Sequence, residues 1–400
     1  MFDIPSSQIH EEDRTKIWKH VRLVDAVALR RETVDPKKES ELPYVGLEHI
    51  DTGQVDLKRW GKGTEVSSLK NRFAKNDVLY GKLRPYLDKA VIASVQGLCS
   101  TDILVLKPME VVLPEFIAQI LHTQEFISFA NSTTTGLNHP RTSWSAIQEF
   151  SFPLPPISEQ REIAQVLSTI RRAQQATREV IQTVREVKGS FLDSIFSSGS
   201  TTRLPIAKLG EICERPQYGI TKSASSTNSG PKFLRITDIQ DGEVDWQSVP
   251  TCEISNDDFE TYKLKPGDIL IARIGATTGK TFLVGEVPNA VFGSYLIRLR
   301  AGLSVIPAFL RAFTETRFYW DQIEKSKGGR LKQGVNIGVI QAIELPLPSV
   351  DQQKSYVTAF DELNSKLSVE KERLTALQFL YQTSLHELLS GRIHLSQKGD

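Results

Sequence analysis

The sequence predicts α/β modules plus long helices: two mixed α/β modules in tandem, each followed by a long helix, the two helices forming an antiparallel coiled coil. Three observations carry this fold class. In a chain of 400 residues, 153-PLPPISEQ-160 recurs as 346-PLPSVDQQ-353, an offset of 193. The offset holds without a gap back to the pair Leu113/Ile306, and 10 of those 48 pairs are identical. One fixed spacing that ends in the same Pro-rich signal marks an internal duplication. Each copy then enters a stretch of about 40 residues with apolar positions near every 3.5, the seam of a coiled coil.

In chain order, the first module spans 1–154, the first long helix 155–198, the second module 199–347, the second long helix 348–391 and a tail 392–400. The opening MFDIPSSQIHEEDR is polar and acidic, without the apolar core of a secretory signal. Upstream of residue 113 the repeat drifts slightly but continues. The segments 22-RLVDAVAL-29, 44-YVGLEHIDTGQVD-56 and 76-NDVLYGKLR-84 parallel 206-IAKLGEIC-213, 233-FLRITDIQDGEVD-245 and 267-GDILIARIG-275. Strands are expected at 78–83, 103–107, 269–274 and 295–300, bounded by Gly, Asn and Asp turns. A helix follows in each module, over 114–130 and 307–323, with Pro in the first turn. Polar, Gly-containing loops come next, 131-NSTTTGLNHPRTSW-144 and 324-EKSKGGRLKQGVN-336.

The expected seam of the first long helix is Ile163, Val166, Ile170, Ala173, Thr177, Val180, Val184, Val187 and Phe191. That of the second is Phe360, Leu363, Leu367, Glu370, Leu374, Leu377, Tyr381, Ser384 and Leu388, with Glu370 and Ser384 interrupting the apolar stripe. Ser158 and Asp351 are the expected N-caps, and 197-SSGSTT-202 is an expected linker. At 1.5 Å per residue each helix spans ~60 Å, so pairing them sets a long fixed distance.

Composition excludes several function classes. No run of about 18 apolar residues exists, so no membrane span is expected. Cys99, Cys213 and Cys252 are an odd set without metal-ligand spacing, which points to a reducing, cytoplasmic setting. The loop 275-GATTGKT-281 is one residue short of a phosphate loop. Asp77 and Asp268 hold equivalent places before a strand and are expected to act in turns, not in catalysis. The chain therefore reads as a binding and scaffolding protein, not an enzyme. Net charge is +1, but 58–89 holds nine basic residues against three acidic ones, a local +6. Such a run is a solvated face or a polyanion surface.

The segments 76-NDVLYGKLRP-85, 267-GDILIARIGATTGK-280, 153-PLPPISEQREIAQVL-167 and 346-PLPSVDQQ-353, in this order, resemble the specificity subunits of Type I restriction–modification systems. The resemblance runs from about residue 18 to 391. It implies that each module is a target-recognition domain for one half of a bipartite, asymmetric site in double-stranded DNA, with the helices setting the spacer. It further implies two modification (methyltransferase) subunits that carry S-adenosylmethionine, and restriction subunits that use ATP and Mg. No cofactor, metal or catalytic residue is expected in this chain. Two other readings stay open: a specificity subunit for a fused restriction–methylation enzyme, and a duplicated protein-only coiled-coil scaffold.

Base reading needs Arg, Lys, Asn or Gln on loops that reach a groove, and phosphate contact needs Lys or Arg. The candidates are Lys62, Lys70 and Arg72 for phosphates, then Lys82 and Arg84 with their repeat counterparts Arg273, Thr277, Thr278 and Lys280. Lys82 and Arg273 could equally be edge-strand charges that guard against aggregation. The later loops add Asn138, His139 and Arg141 in the first module, and Lys327, Arg330, Lys332 and Asn336 in the second. Trp60, Trp144, Trp246 and Trp320 are expected in cores or partner faces, not as base-stacking platforms. Glu159, Arg161, Arg171, Arg172 and Arg178 are expected on the solvated face of the first long helix.

Overall fold

A computed structural model describes residues 18–196, 204–225, 230–240, 242–326 and 334–393. The chain divides into two compact units, Met1–Thr177 with Arg373–Asp400, and Arg178–Glu372. Each unit therefore holds one α/β module and one end of each long helix.

In the first unit, strands Val27–Leu29, Ile103–Pro108, Val78–Gly81 and Ala90–Ile92 form an antiparallel sheet in that order. Its two central strands are continuously apolar over 78–80 and 103–106 because both faces are covered there. Val78, Tyr80, Leu104 and Leu106 enter one core, whereas Leu79, Ile103 and Val105 enter another, the period-2 alternation of a strand sorted between two interiors. A second, five-stranded sheet orders Thr33–Val34, Lys70–Phe73, Gly97–Cys99, Pro43–Val45 and Gly61–Lys62.

The second unit repeats the first sheet as Gln217–Tyr218, Leu296–Leu299, Ile269–Ala272 and Thr281–Leu283. It keeps the parallel pair of the second sheet, Lys232–Leu234 with Ala290–Phe292, matching Pro43–Val45 with Gly97–Cys99. The helix Asn256–Tyr262 is found in this unit beside that pair. The duplication thus preserves the sheet that carries the central strands and varies what surrounds it.

Asp77 and Asp268 do the same work in both copies. Each accepts a backbone N–H three residues back, from Ala74 at 2.7 Å and from Lys265 at 3.0 Å. Each also takes a two-pronged guanidinium, Arg30 or Arg300. They are buried turn-formers paired with arginine.

The helix expected over 114–130 is two helices, Pro114–Leu121 and Gln124–Ser132. That expected over 307–323 is likewise Pro307–Phe313 and Arg317–Ser326. The break falls at a threonine identical in both repeats. Thr123 Oγ1 accepts from Phe126 N, and Thr316 Oγ1 from Tyr319 N, each at 3.2 Å. A side chain that can cap a new helix competes with continuing the old one.

The long helices are Ile157–Phe196 and Val350–Leu389. They begin one residue before the expected caps, so Ser158 and Asp351 lie in the first turn; Ser349 Oγ accepts from Gln352 N instead. Inside the first unit Gln174 Nε2 donates to Leu377 O at 2.9 Å and Arg171 donates to the Tyr381 hydroxyl. Inside the second, Lys188 Nζ donates to Asn364 Oδ1 at 2.6 Å and Phe191 meets Tyr356 edge-on. As one number rises the other falls, so the helices run antiparallel in each unit. All nine expected seam positions of the second helix are buried or half-buried, Glu370 included. The first helix differs: Val166, Val180 and Val187 are exposed, and Leu167, Gln174, Ile181, Lys188 and Leu192 face inward. That helix packs against its modules as well as its partner, so no single apolar stripe records its buried face. Arg171, expected on the solvated face, donates to Gly53 O at 2.7 Å as well as to Tyr381.

The Pro-rich motif ends in a glutamine with a specific task. Gln160 is 0 % exposed. Its Oε1 accepts from Leu113 N at 2.9 Å, and its Nε2 donates to Val111 O at 3.0 Å and Pro155 O at 2.9 Å. Gln353 makes the same three bonds to Ile306 N, Ser304 O and Pro348 O. The start of each long helix is thereby fastened to the start of the preceding module helix.

Candidate nucleic-acid interface

The loops named from the sequence converge in each unit. In the first, the strand Val78–Gly81 runs on into Lys82–Leu83–Arg84, which lies between two other segments. Lys82 N donates to Asp102 O at 2.9 Å, Thr142 N to Lys82 O at 3.0 Å, and Arg84 N to Pro140 O at 2.8 Å. The loop beyond is a hairpin closed by reciprocal bonds between Thr135 and Arg141, both 3.0 Å. Arg84 and Asp88 adopt left-handed conformations (φ 51° for each) and bracket the turn Pro85–Leu87, where a non-glycine residue is held only by its surroundings. His122 supplies part of that hold: its Nδ1 lies 2.6 Å from Asp88 Oδ1, and its Nε2 lies 2.9 Å from Ala90 O.

Arg141 does not point freely outward. Its Nε and Nη2 donate to the two oxygens of Asp102 at 2.9 and 3.1 Å, and its Nη1 to His139 O at 3.2 Å. The hydrogen bond from Arg141, reinforced by the charges of Arg141 and Lys82 and opposed by burial, holds the Asp102 carboxyl below the ordinary carboxylate range. A carboxylate lowered in the folded state contributes stability above its ordinary value and loses it as pH falls through the lowered one. The hairpin should therefore stay closed at neutral pH and loosen below about pH 4. Amide exchange over 135–141 checks this: Asp102→Asn should speed exchange a few-fold at pH 7 and leave little further acid dependence. Equal exchange in both proteins at pH 7 would refute the lock.

The second unit repeats the backbone scheme. Arg273 N donates to Tyr295 O at 3.0 Å, and Val335 N to Arg273 O at 2.9 Å. Tyr295 and Val335 are the offset-193 partners of Asp102 and Thr142. The side chains differ. Tyr295 stands where Asp102 does, and Gly334 where Arg141 does. A Cβ on Gly334 would lie 2.0 Å from Arg273 O, so only glycine permits this close approach. The Arg273 guanidinium stacks over the Tyr218 ring at 4.7 Å and donates to Ser294 O at 3.3 Å.

The segment 275–281 is a turn between two antiparallel strands. Thr278 is buried, its Oγ1 donating to Gly275 O at 2.7 Å, so it shapes the turn and does not face a ligand. No helix follows, as a phosphate loop requires. Lys280 is exposed, and with Thr277 it lines a cleft of about 650 Å³ that Arg311 and Trp320 also border. Asn336 is an N-cap: its Oδ1 accepts from Val339 N at 3.0 Å. Lys327, Arg330 and Lys332 lie outside the described residues.

Of the phosphate candidates, Lys62 is exposed at the edge strand Gly61–Lys62. Lys70, at 7 % exposure, is instead interior: its ammonium donates to Ser68 O and Oγ at 3.0 and 2.6 Å. Arg72 is engaged by Glu32 at 3.0 Å and by Glu39. The basic run is thus partly neutralised by carboxylates distant in sequence. Trp144, Trp246 and Trp320 pack against cores, and Trp60 is exposed. Sequence reasoning did not single out Tyr86 or Leu137, both exposed beside these loops, nor Asp102 and Tyr295. The repeat offset alone would have paired the last two.

The family profile described as the Type I restriction modification DNA specificity domain matches residues 16–186 and again 184–378. The EcoBI Type I restriction enzyme specificity subunit of Escherichia coli is 23 % identical over 283 residues, covering 63 % of this chain; the match spans 60 % of that relative's length. The MjaVIII specificity subunit of Methanocaldococcus jannaschii is 20 % identical over 414 residues, 94 % of this chain and 93 % of that one. The solved S subunit of a Type I restriction–modification system from M. genitalium shares the fold, with TM-score 0.61, 16 % identity, and coverage of 93 % and 96 % of the two chains. Among the described residues, no helix is long and apolar enough to cross a membrane.

Proposed function

Because the chain belongs to the Type I restriction modification DNA specificity family, carrying its domain twice, we propose that it is the non-catalytic DNA-reading subunit of a Type I restriction–modification complex. One observation supports this above others. The same three-segment clamp, 82–102–142 and 273–295–335, occurs in both modules but presents different side chains. Two readers of common frame and divergent surface suit a target whose halves differ in sequence. The long helices set the spacer between the halves.

Lys82, Arg84, Asn138 and Lys280 meet DNA in this reading, Lys62 adds a phosphate contact, and Arg273 is held beside them against Tyr218 and Ser294 O. Arg141, Thr278 and Asn336 shape the loops that present them. Methylation belongs to two modification subunits that bind S-adenosylmethionine and receive an adenine turned out of the stack. Cleavage driven by ATP and Mg belongs to restriction subunits. The complex acts in the cytoplasm.

The test is binding by the full chain assembled with its modification subunits. One asymmetric split duplex should be bound about 1000-fold or more tighter than random duplex, with affinity falling as salt rises. Equal affinity after shuffling either half would refute the proposal. Removing matched whole turns from both long helices should shorten the preferred spacer.

A further inference from the structure

We infer that Leu137 is a specificity-determining residue, reading the C5 methyl of a thymine in the half-site served by the first module. This rests on the DNA-reading function proposed above and names one residue and one base atom within it.

Leu137 is fully exposed, at 102 % of its reference area. It touches no core, so its isobutyl group contributes nothing to folding. Its position is nevertheless tightly held. The Thr135–Arg141 pair closes the hairpin, Arg141 is locked twice to Asp102, and Arg84 N binds Pro140 O. Gly136, at φ +92°, makes the turn into the tip and leaves Leu137 outermost. A fold that spends a rigid hairpin on presenting an apolar group to water is prepared for an apolar contact elsewhere.

The neighbours identify that contact. Arg84 lies against the tip, its Nη2 3.5 Å from Asn138 O, Lys82 lies at the base of the hairpin beside Thr142, and Asn138 and His139 follow Leu137. Cations beside an amide match a polyanion with hydrogen-bonding base edges. A loop tip closed by one bridge fits the major groove, which is about 12 Å wide, more readily than the minor groove at about 6 Å. The apolar feature that the major groove offers is the thymine methyl. At the equivalent position the second repeat carries Arg330, a residue type suited to guanine. That substitution is the kind expected where two modules read different bases.

The experiment uses the full chain assembled with its modification subunits. Methylated adenines in cellular DNA first define the parent's split site. Each thymine of the first module's half-site is then replaced singly by deoxyuridine, which removes only the methyl, and duplex binding is measured for the parent and Leu137→Ala. One replacement should weaken the parent about 3- to 10-fold. Leu137→Ala should weaken binding of the unsubstituted duplex by a similar factor and be indifferent to that same replacement. The other half-site should be read as before. Parent-like binding by Leu137→Ala overturns the inference. Uniform weakening with no dependence on any one thymine overturns it, as does a half-site without thymine. Failure of the parent itself to modify any split site refutes the DNA-reading function, and is seen before a variant is made.

Discussion

Gln160→Ala should lower the stability of the first unit by about 2–4 kcal/mol, and Gln353→Ala should do the same to the second. Each glutamine is fully buried and pairs with one backbone N–H and two carbonyls; the bond to Pro155 O or Pro348 O is buried, and the other two are half-buried. Alanine leaves three backbone groups unpaired, at about 1–3 kcal/mol each, partly relieved by local relaxation. It also unfastens the long helix from the module at Val111 and Leu113. Gln160→Glu is the sharper variant. It retains an acceptor for Leu113 N but sets a carboxylate oxygen against the carbonyls of Val111 and Pro155, so it should be at least as harmful. Urea unfolding gives the size of the effect, and hydrogen exchange shows which unit loosens. A change under about 0.5 kcal/mol for both alanine variants would show that the clamp is dispensable.

The double variant Lys82→Ala/Arg84→Ala should weaken specific duplex binding about 30- to 1000-fold. The slope of log affinity against log salt should fall by about 1 for each charge that meets a phosphate. Arg72→Ala is the comparison. Its guanidinium already faces Glu32 and Glu39, so removing it should leave the slope unchanged. If the two variants behaved alike, DNA affinity would track the charge of the whole 58–89 run and not the clamp. Methylation mapping adds a second readout: the Lys82/Arg84 variant should disturb one half of the site only.

Much of the fold is legible in the sequence. The repeat, the order of module and helix, and the turn roles of Asp77 and Asp268 follow from patterns local to the chain. The second long helix presents the face that its periodicity indicates. The first does not, because it packs against more than one neighbour, and Val166, Val180 and Val187 lie outside the buried strip while Gln174 and Lys188 lie within it. The helix breaks at Thr123 and Thr316 were visible as an identical pair in the repeat. Their capping role was not, since apolar spacing alone favours a continuous helix.

The candidate interface divides in the same way. Repeat position brought Lys82 together with Arg273, and the structure gives both the same backbone partners. Charge counting could not tell Lys82 from Lys70 or Arg141, because the groups that engage them depend on folding. Asp102 lies 39 residues from Arg141, and Glu32 lies in the connection before the strand Thr33–Val34, whereas Arg72 lies within the strand Lys70–Phe73. By itself, then, the sequence determined the duplication, the two long helices and the loops of the candidate interface, all set by periodicity and spacing along the chain. The tertiary structure decided which cations are held by carboxylates, which are interior and which meet solvent. Desolvation and ion pairing are set by neighbours in space, and those neighbours come from distant parts of the chain.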